Sequence, residues 1–246
     1  MAAIPKLKPA SRESLALAEL GGLVVSALAA GLLLFWFVDR TAPPQDLAWE
    51  SFSLDQPLGL ATERKLMRLA ADPALCKAAL AEGRVTFAEQ PEKRDGFCTN
   101  IDVVRISGGT TRLSPTGPVM TCREALALAL FDRQVLRPAA AEILGAEVAA
   151  IDHYGTYACR RVYGRQTGRV SEHAHANAFD FAGVTLKDGR RITVASHFRA
   201  DDERGVFMRR VRDRACKVFR VVLSPDYNAA HRDHLHLDMG RFRVCR

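Results

Sequence analysis

Apolar and polar positions change rhythm several times along the chain, and the longest apolar stretch comes first. Leu20-Gly21-Gly22-Leu23 through Phe35-Trp36-Phe37-Val38 is a run of nineteen residues without a charge. As a helix rising about 1.5 Å per residue it spans roughly 28 Å, close to the thickness of a hydrocarbon core. Trp36 falls at its far interface and Asp39-Arg40 closes it. A cleaved signal peptide has a shorter apolar region, and the small-residue pattern Ala27-Leu28-Ala29 is followed by more apolar residues. The reading is therefore one uncleaved anchor, residues 20–38. Lys6, Lys8 and Arg12 precede it, which keeps the tail 1–19 in the cytoplasm and places the remainder outside.

Thr41-Ala42-Pro43-Pro44-Gln45 and the residues to Pro57 lack periodicity, so 39–57 reads as a linker and 58–246 as the extracytoplasmic domain. Within Leu60–Ala71, Leu66, Leu69 and Ala70 recur at helical spacing. Asp72-Pro73 gives an N-cap and a first-turn proline to a second helix, stopped by Gly83. Val85, Phe87, Ile101, Val103 and Val104 mark short strands. Thr121-Cys122-Arg123-Glu124 is a capping box, with Glu124 reaching back, and opens a buried helix through Val135. Pro138 begins a further helix ending at Gly145, and Val148–Tyr157 reads as a strand.

Ala178–Leu186 and Arg191–Phe198 flank Lys187-Asp188-Gly189-Arg190, a hairpin signal. Asp201–Cys216 fits an amphipathic helix with Val206, Phe207, Val211 and Cys216 toward one face. Val218–Leu223 is a strand, Ser224-Pro225-Asp226 turns it, and His234–Met239 returns. The whole predicts an α+β domain, an antiparallel sheet with flanking helices. Tyr154, Tyr157 and Phe179 read as core.

Composition adds three constraints. With 246 residues, 48% of them hydrophobic, the chain can bury one good core. The net charge of +7 comes without a Lys/Arg block interleaved with aromatics, so no nucleic-acid binding is read from it. A modest basic excess suits an anionic surface or plain solubility. Cys76, Cys98, Cys122, Cys159, Cys216 and Cys245 all follow the anchor, and none forms a C-x-x-C pair. That points to an oxidising compartment with up to three disulfides, whose pairing the sequence does not choose. It sets no oligomeric state either.

Two stretches carry the candidate chemistry. Ser171–Asp180 holds His173 and Asp180, and His231-Arg232-Asp233-His234-Leu235-His236-Leu237-Asp238 holds three of the seven histidines. A catalytic zinc site takes three N, S or carboxylate ligands and keeps one position open for water. A loop entering a strand can bring His173 and Asp180 to one point. His234 and His236 share a strand face, so one can bind metal while the other faces substrate.

Ser171-x-His173-x-x-Ala176-x-Ala178-x-Asp180 followed by His234-x-His236 resembles the signature of the LAS zinc peptidases. That group includes D-alanyl-D-alanine carboxypeptidases, dipeptidases and penicillin-insensitive murein endopeptidases, and His231-x-x-His234-x-His236 resembles the last of these. The chain departs at Ala176, where the pattern has glycine and a positive φ would disfavour a methyl group. More closely, the region from Cys98 onward resembles the bacterial extensin-like C-terminal domain family. Thr156-Tyr157-Ala158-Cys159-Arg160, Ser171-Glu172-His173 to Asp180, and Ser224-Pro225-Asp226-Tyr227-Asn228 through Asp238 carry that resemblance.

The resemblance implies a LAS/Hedgehog-type α+β fold and Zn2+ as cofactor, with His173, Asp180 and His236 as ligands. It makes His234 the histidine beside the metal, and leaves the general base open between His234 and Asp233. Arg160 matches an upstream arginine that polarises the scissile carbonyl. Ser171, His231 and Asp238 would support the ligands from behind. His175 reads as a support or as exposed, and His153 and His197 as structural. The implied function is a membrane-anchored periplasmic peptidase, endopeptidase or carboxypeptidase, with peptidoglycan peptides as its partners. The alternatives are a non-catalytic wall-binding or scaffold domain, and a hydrolase of another amide.

Overall fold

The computed structural model describes residues 12–246, with side chains from residue 19 onward. The expectations for residues 1–11, with Lys6 and Lys8, and for the Arg12 side chain lie outside the described residues. The first helix, α1 (Arg12–Thr41), contains an exposed apolar segment, Glu19–Thr41, long enough to cross a membrane or to act as a signal sequence.

The stretch expected as a linker lies against the domain. Trp49 Nε1 donates to Asp39 Oδ1 at 2.7 Å, and the Trp49 ring sits 5.1 Å from Phe35. Leu47 and Leu54 are buried. The Lys65 ammonium donates to Pro44 O (2.6 Å) and Ser51 O (3.2 Å), and Gln134 Nε2 donates to Leu54 O at 2.7 Å. Two isolated leucines create no period, which hides this docking from a pattern reading. Leu54 packs over Gly83, where a Cβ would lie 2.4 Å from Leu54 Cδ1.

Helices α2 (Thr62–Ala70) and α3 (Pro73–Glu82) follow, the latter capped by Asp72, whose Oδ1 accepts from Ala74 N and Leu75 N. Six short strands come next: β1 (Thr86–Glu89), β2 (Lys93–Asp95), β3 (Cys98–Asn100), β4 (Val103–Gly108), β5 (Arg112–Ser114) and β6 (Val119–Thr121). Thr121 caps α4 (Cys122–Phe131) by accepting from Glu124 N at 3.3 Å. The capping box is only half made. Glu124 turns inward, fully buried, and neither carboxyl oxygen has a partner.

Instead of two separate helices, the chain then continues through a π turn (Asp132–Leu136), α5 (Arg137–Ala139) and a second π turn (Ala140–Leu144). Pro138 lies between the wide turns; it lacks an N–H and crowds the carbonyl four residues back. Gly145, at φ +60°, ends the run in the left-handed conformation.

The remaining elements are β7 (Val148–His153), β8 (Ala178–Leu186), β9 (Arg191–Thr193), α6 (Val194–His197), α7 (Glu203–Ala215), β10 (Val221–Leu223), β11 (Leu235–Asp238) and β12 (Val244–Cys245). Three expected strands are shorter than their apolar runs. Gly155, at φ +122°, turns the chain after β7. The Thr193 hydroxyl accepts from Ser196 N and starts α6, and Val218 and Phe219 are buried before β10 begins. The hairpin between β8 and β9 forms, with Asp188 Oδ1 accepting from Arg190 N and Gly189 at φ +88°. In α7, Phe207, Met208 and Val211 are buried, whereas Val206 is exposed.

The fold is α+β. Its main sheet runs β12-β10-β11-β8-β7-β5, with β9 also on β8; β1-β4-β6 and β2-β3 form smaller sheets. The main sheet is mixed, correcting the antiparallel expectation: β12 lies parallel to β10 and β5 to β7. β5 reaches β7 through a long helical crossover, which permits a parallel pair where a tight hairpin does not. Alternation along two central strands separates core from site. Phe179, Phe181, Leu235 and Leu237 point into the core, where Phe131 meets Phe181 and Phe219 edge-on at 5.7 Å each. Asp180 and His236 point to the other face, directly opposite each other across β8 and β11.

All six cysteines are paired, as Cys76–Cys122, Cys98–Cys159 and Cys216–Cys245. Closing loops with separations of 46, 61 and 29 residues restricts the unfolded chain, worth about 4 kcal/mol each by chain entropy. Cys98–Cys159 ties β3 to the loop that runs from β7 into the site.

Candidate metal centre

His173 is presented by one short turn. Ser171 accepts from His173 N at 3.3 Å and so caps a 3-10 turn over Glu172–His175. Ala176 closes that turn at φ +52°, ψ +30°. The sequence departure therefore falls where the backbone is left-handed, and the turn forms with alanine in place. Neighbours hold it: Thr121 N donates to Ala176 O at 2.9 Å, and Asn177 Nδ2 donates to Glu172 Oε2 at 2.7 Å. Asp180 follows on β8, its backbone bonded on both sides to Tyr154 N and Gly155 O.

His173 Nε2, Asp180 Oδ1 and His236 Nδ1 lie 3.1 Å from one another in all three pairings. Ligands about 2.0–2.1 Å from a tetrahedral zinc ion are spaced about 3.3 Å apart. The triangle is thus nearly the face of such a tetrahedron. The outer partners set the same polarity. His173 Nδ1 donates to Thr156 O at 3.1 Å, and His236 Nε2 donates to Asp238 Oδ2 at 3.0 Å. With those N–H groups turned outward, neutral imidazoles aim their lone pairs, with an acceptor-only carboxylate, at one point. These residues fit a cation.

The field agrees. Burial alone would raise the Asp180 carboxyl, but bonds from His173 and His236 outweigh it and hold the group well below the usual carboxylate range. Burial pulls the His236 imidazole down, yet its bonds to Asp180 and Asp238 push it up to about 9. Without a metal the same field favours a proton on His236, so uptake of a divalent ion would release it. Gly240 is part of this support: its N–H donates to Asp238 Oδ1 at 2.8 Å, and a Cβ there would sit 2.6 Å from Glu172 Oε1.

His234 lies beside the triangle, its Nε2 3.5 Å from Asp180 Oδ1. Asp233 Oδ1 accepts from His234 Nδ1 at 2.9 Å, so Asp233 reaches the centre through His234. His231 is buried behind them, its ring 5.4 Å from His234 and 5.9 Å from His236. Burial, then the neighbouring imidazoles, lower it to about 4, leaving it neutral at pH 7. Its Nδ1 donates to Asn228 Oδ1 at 2.8 Å. A cleft of about 260 Å³ reaches the triangle at His236 and is lined by Arg160, Ser171, His231, His234 and Asp238, among others.

Other histidines are elsewhere. His175 bonds Thr99 Oγ at 2.8 Å on the far side of the turn. His153 bonds Pro115 O, and His197 accepts from Thr193 N. Tyr154 and Tyr157, expected in the core, are exposed, and Tyr154 stands edge-on to His234 at 5.9 Å. Arg169 and Gly240 join the site without any spacing signal in the sequence, and Thr156, Glu172 and Asn177, though inside the stretches that carry the resemblance, gain their roles only through register and turn geometry. The buried Glu124 lies in the field of Asp238, His236 and Glu172, and its carboxyl is raised well above the usual range, chiefly by burial.

Residues 74–246 match the family model described as Extensin-like protein C-terminus. No curated protein and no solved structure matches the chain.

Proposed function

The chain belongs to the extensin-like protein C-terminus family, and from that premise we propose that it is a zinc-dependent peptidase of peptidoglycan. In this reading α1 is a single-pass anchor in the inner membrane, its N-terminus is cytoplasmic and the domain is periplasmic. The three disulfides support an oxidising location. The observation that carries the reading is the convergence of three lone pairs, from His173, Asp180 and His236, beside an open cleft. The order His, Asp, His along the chain supports kinship with the LAS zinc peptidases.

Zinc held by these three atoms would supply Lewis acidity, for activation of water and for polarisation of an amide carbonyl. The chain's residues do the rest. His234 Nε2 takes the proton of the attacking water and returns it to the leaving amine, so that water and amide become carboxylate and amine. Asp233, on Nδ1, fixes the tautomer that leaves Nε2 free. This divides the base role: His234 moves the proton and Asp233 orients it. Arg160, on the cleft wall, balances charge developing on the carbonyl oxygen. His231, lowered by burial, is neutral and adds no charge of its own there.

The test joins metal content with turnover. The purified full chain in detergent is assayed for bound metal, then incubated with peptidoglycan with and without chelator. One zinc per chain and chelator-sensitive release of new amino groups are expected. Binding to the wall without cleavage overturns the peptidase reading and favours a scaffold domain. Iron in place of zinc overturns the cofactor.

A further inference from the structure

The loop after β7 carries Arg160, Arg161, Arg165 and Arg169, and none forms an ion pair with a carboxylate among the described residues. Its two arms make a short antiparallel ribbon. Arg161 bridges Val170, Val162 N donates to Arg169 O at 2.9 Å, and Ser171 N donates to Arg160 O at 3.2 Å. Opposed residues of such a ribbon share a face, and successive residues alternate. Arg160, Val162, Arg169 and Ser171 therefore belong to one face and Arg161 to the other.

Arg160, Val162, Arg169 and Ser171 line the cleft that also contains His234 and His236, and Tyr163 and Val170 border it as well. Arg161 turns away, stacking 4.7 Å from the Phe97 ring and donating to Gly168 O. The Arg169 guanidinium lies 4.1 Å over the Phe242 ring, which steadies its plane and leaves its N–H edges for another partner. Cys98–Cys159 pins the foot of the ribbon. Val221 and Leu223 contribute apolar wall to the same cleft.

Glu172 and Asp238 also line the cleft, but their carboxylates are taken up by Asn177 and by His236 and Gly240. The two guanidinium groups, without an acidic partner among the described residues and beside an apolar wall, offer a receptor for a planar anion. We propose that the cleft selects peptides carrying a carboxylate beside the scissile bond. Arg169 grips that carboxylate, while Arg160 beside it keeps its place at the scissile carbonyl, and small apolar side chains lie against Val162, Val221 and Leu223. The inference rests on the peptidase reading for which bond is cut, while the recognition itself is a property of binding.

Calorimetric titration of the zinc-loaded full chain in detergent tests it, with product formation followed in parallel. Three wall-type peptides are compared: one ending in Ala-Ala as the free acid, its C-terminal amide, and an amide with an acidic side chain beside the bond. The free acid is expected to bind about tenfold tighter than the amide, or more. Recovery of affinity by the third peptide alone assigns the clamp to an internal carboxylate and supports it equally. Arg169→Gln should equalise the peptides, whereas Arg165→Gln, with the same loss of charge away from the cleft, should keep the difference. Equal binding of all three by the native chain, or an unchanged ratio in Arg169→Gln, overturns the proposal. Cleavage without discrimination sinks this inference alone, and discrimination without cleavage sinks the peptidase reading alone.

Discussion

Strands β8 and β11 present two contrasting surfaces made from alternate residues of the same short segments. On one, Phe179, Phe181, Leu235 and Leu237 are fully buried and apolar. On the other, Asp180, His236 and Asp238 crowd carboxylates and imidazoles within hydrogen-bond distance. The first surface gains stability from removing carbon from water. The second concentrates desolvated polar groups that favour folding only when their charges are matched. One strand can serve both because a period of two keeps them apart. The lesson is that stability and metal affinity should separate by residue parity.

The sharpest attempt to break that separation is His173→Ala. Removing one ligand should weaken zinc binding by more than about 100-fold, exceeding the usual effect of an outer partner. The melting point of the metal-free protein should change little. Native metal stoichiometry in this variant would end the assignment. Phe181→Ala should do the reverse, costing about 3–5 kcal/mol in a denaturant titration while the folded fraction keeps its metal. If zinc is lost in step with the core, the two surfaces are coupled after all.

Asp238→Asn sits between these extremes, with an expected loss in zinc affinity of about 10–100-fold. The same residue controls a pH signature. His236 is raised to about 9 in the metal-free fold, so its contribution to stability is complete below its unfolded value, about 6.5, and is lost as pH rises toward 9. Metal uptake has the opposite slope, strengthening over that range as the proton leaves. Denaturation of chelated protein from pH 6 to 9.5 should show the fall, and Asp238→Asn should shift it to lower pH. A flat native profile would show that the two carboxylates do not hold the proton there.

Glu124 tests the boundary between the surfaces. A buried carboxyl without partners, raised chiefly by burial, stays neutral in the fold while the unfolded chain ionises above about 4.3. Stability is therefore lost as pH rises past that value. Glu124→Gln should flatten that pH dependence, read from denaturant titrations at pH 4 and pH 8. A destabilised variant would mean that Glu124 acts as a needed acid beneath Asp238. Ala176→Gly should have the smallest effect. Relief of left-handed strain, about 1–2 kcal/mol, is offset by about 0.8 kcal/mol of buried methyl and about 0.5–1 kcal/mol of added chain entropy. Thermal melts within about 1 kcal/mol of native are expected, and a large gain would show that the methyl group distorts the turn.

Much of this was legible locally. The Asp72-Pro73 start, the Asp188-Gly189 hairpin and the alternation through His236 are short-range signals, and each forms as read. Ala176 announced a left-handed position by standing where the motif has glycine, and φ there is positive. What failed was set by tertiary contacts. Glu124 satisfies the capping pattern, but every residue of helix α4 except Arg123 is buried, and the Glu124 carboxyl turns inward without a partner instead of back to the cap. Tyr154 and Tyr157 are apolar enough to suggest core, yet follow the point where β7 leaves the sheet. The disulfide pairing and the two-arginine ribbon depend on register, which no spacing encodes.

The docked segment after α1 has a consequence for reach. A free spacer of roughly sixteen residues has an end-to-end distance of about 20 Å and would let the domain search a volume of that radius. With Leu47 and Leu54 buried and Lys65 holding two of its carbonyls, the segment allows no such search. In the anchored reading proposed above, the docked segment would hold the cleft at one fixed height above the surface, and only chains passing through that layer would come within range.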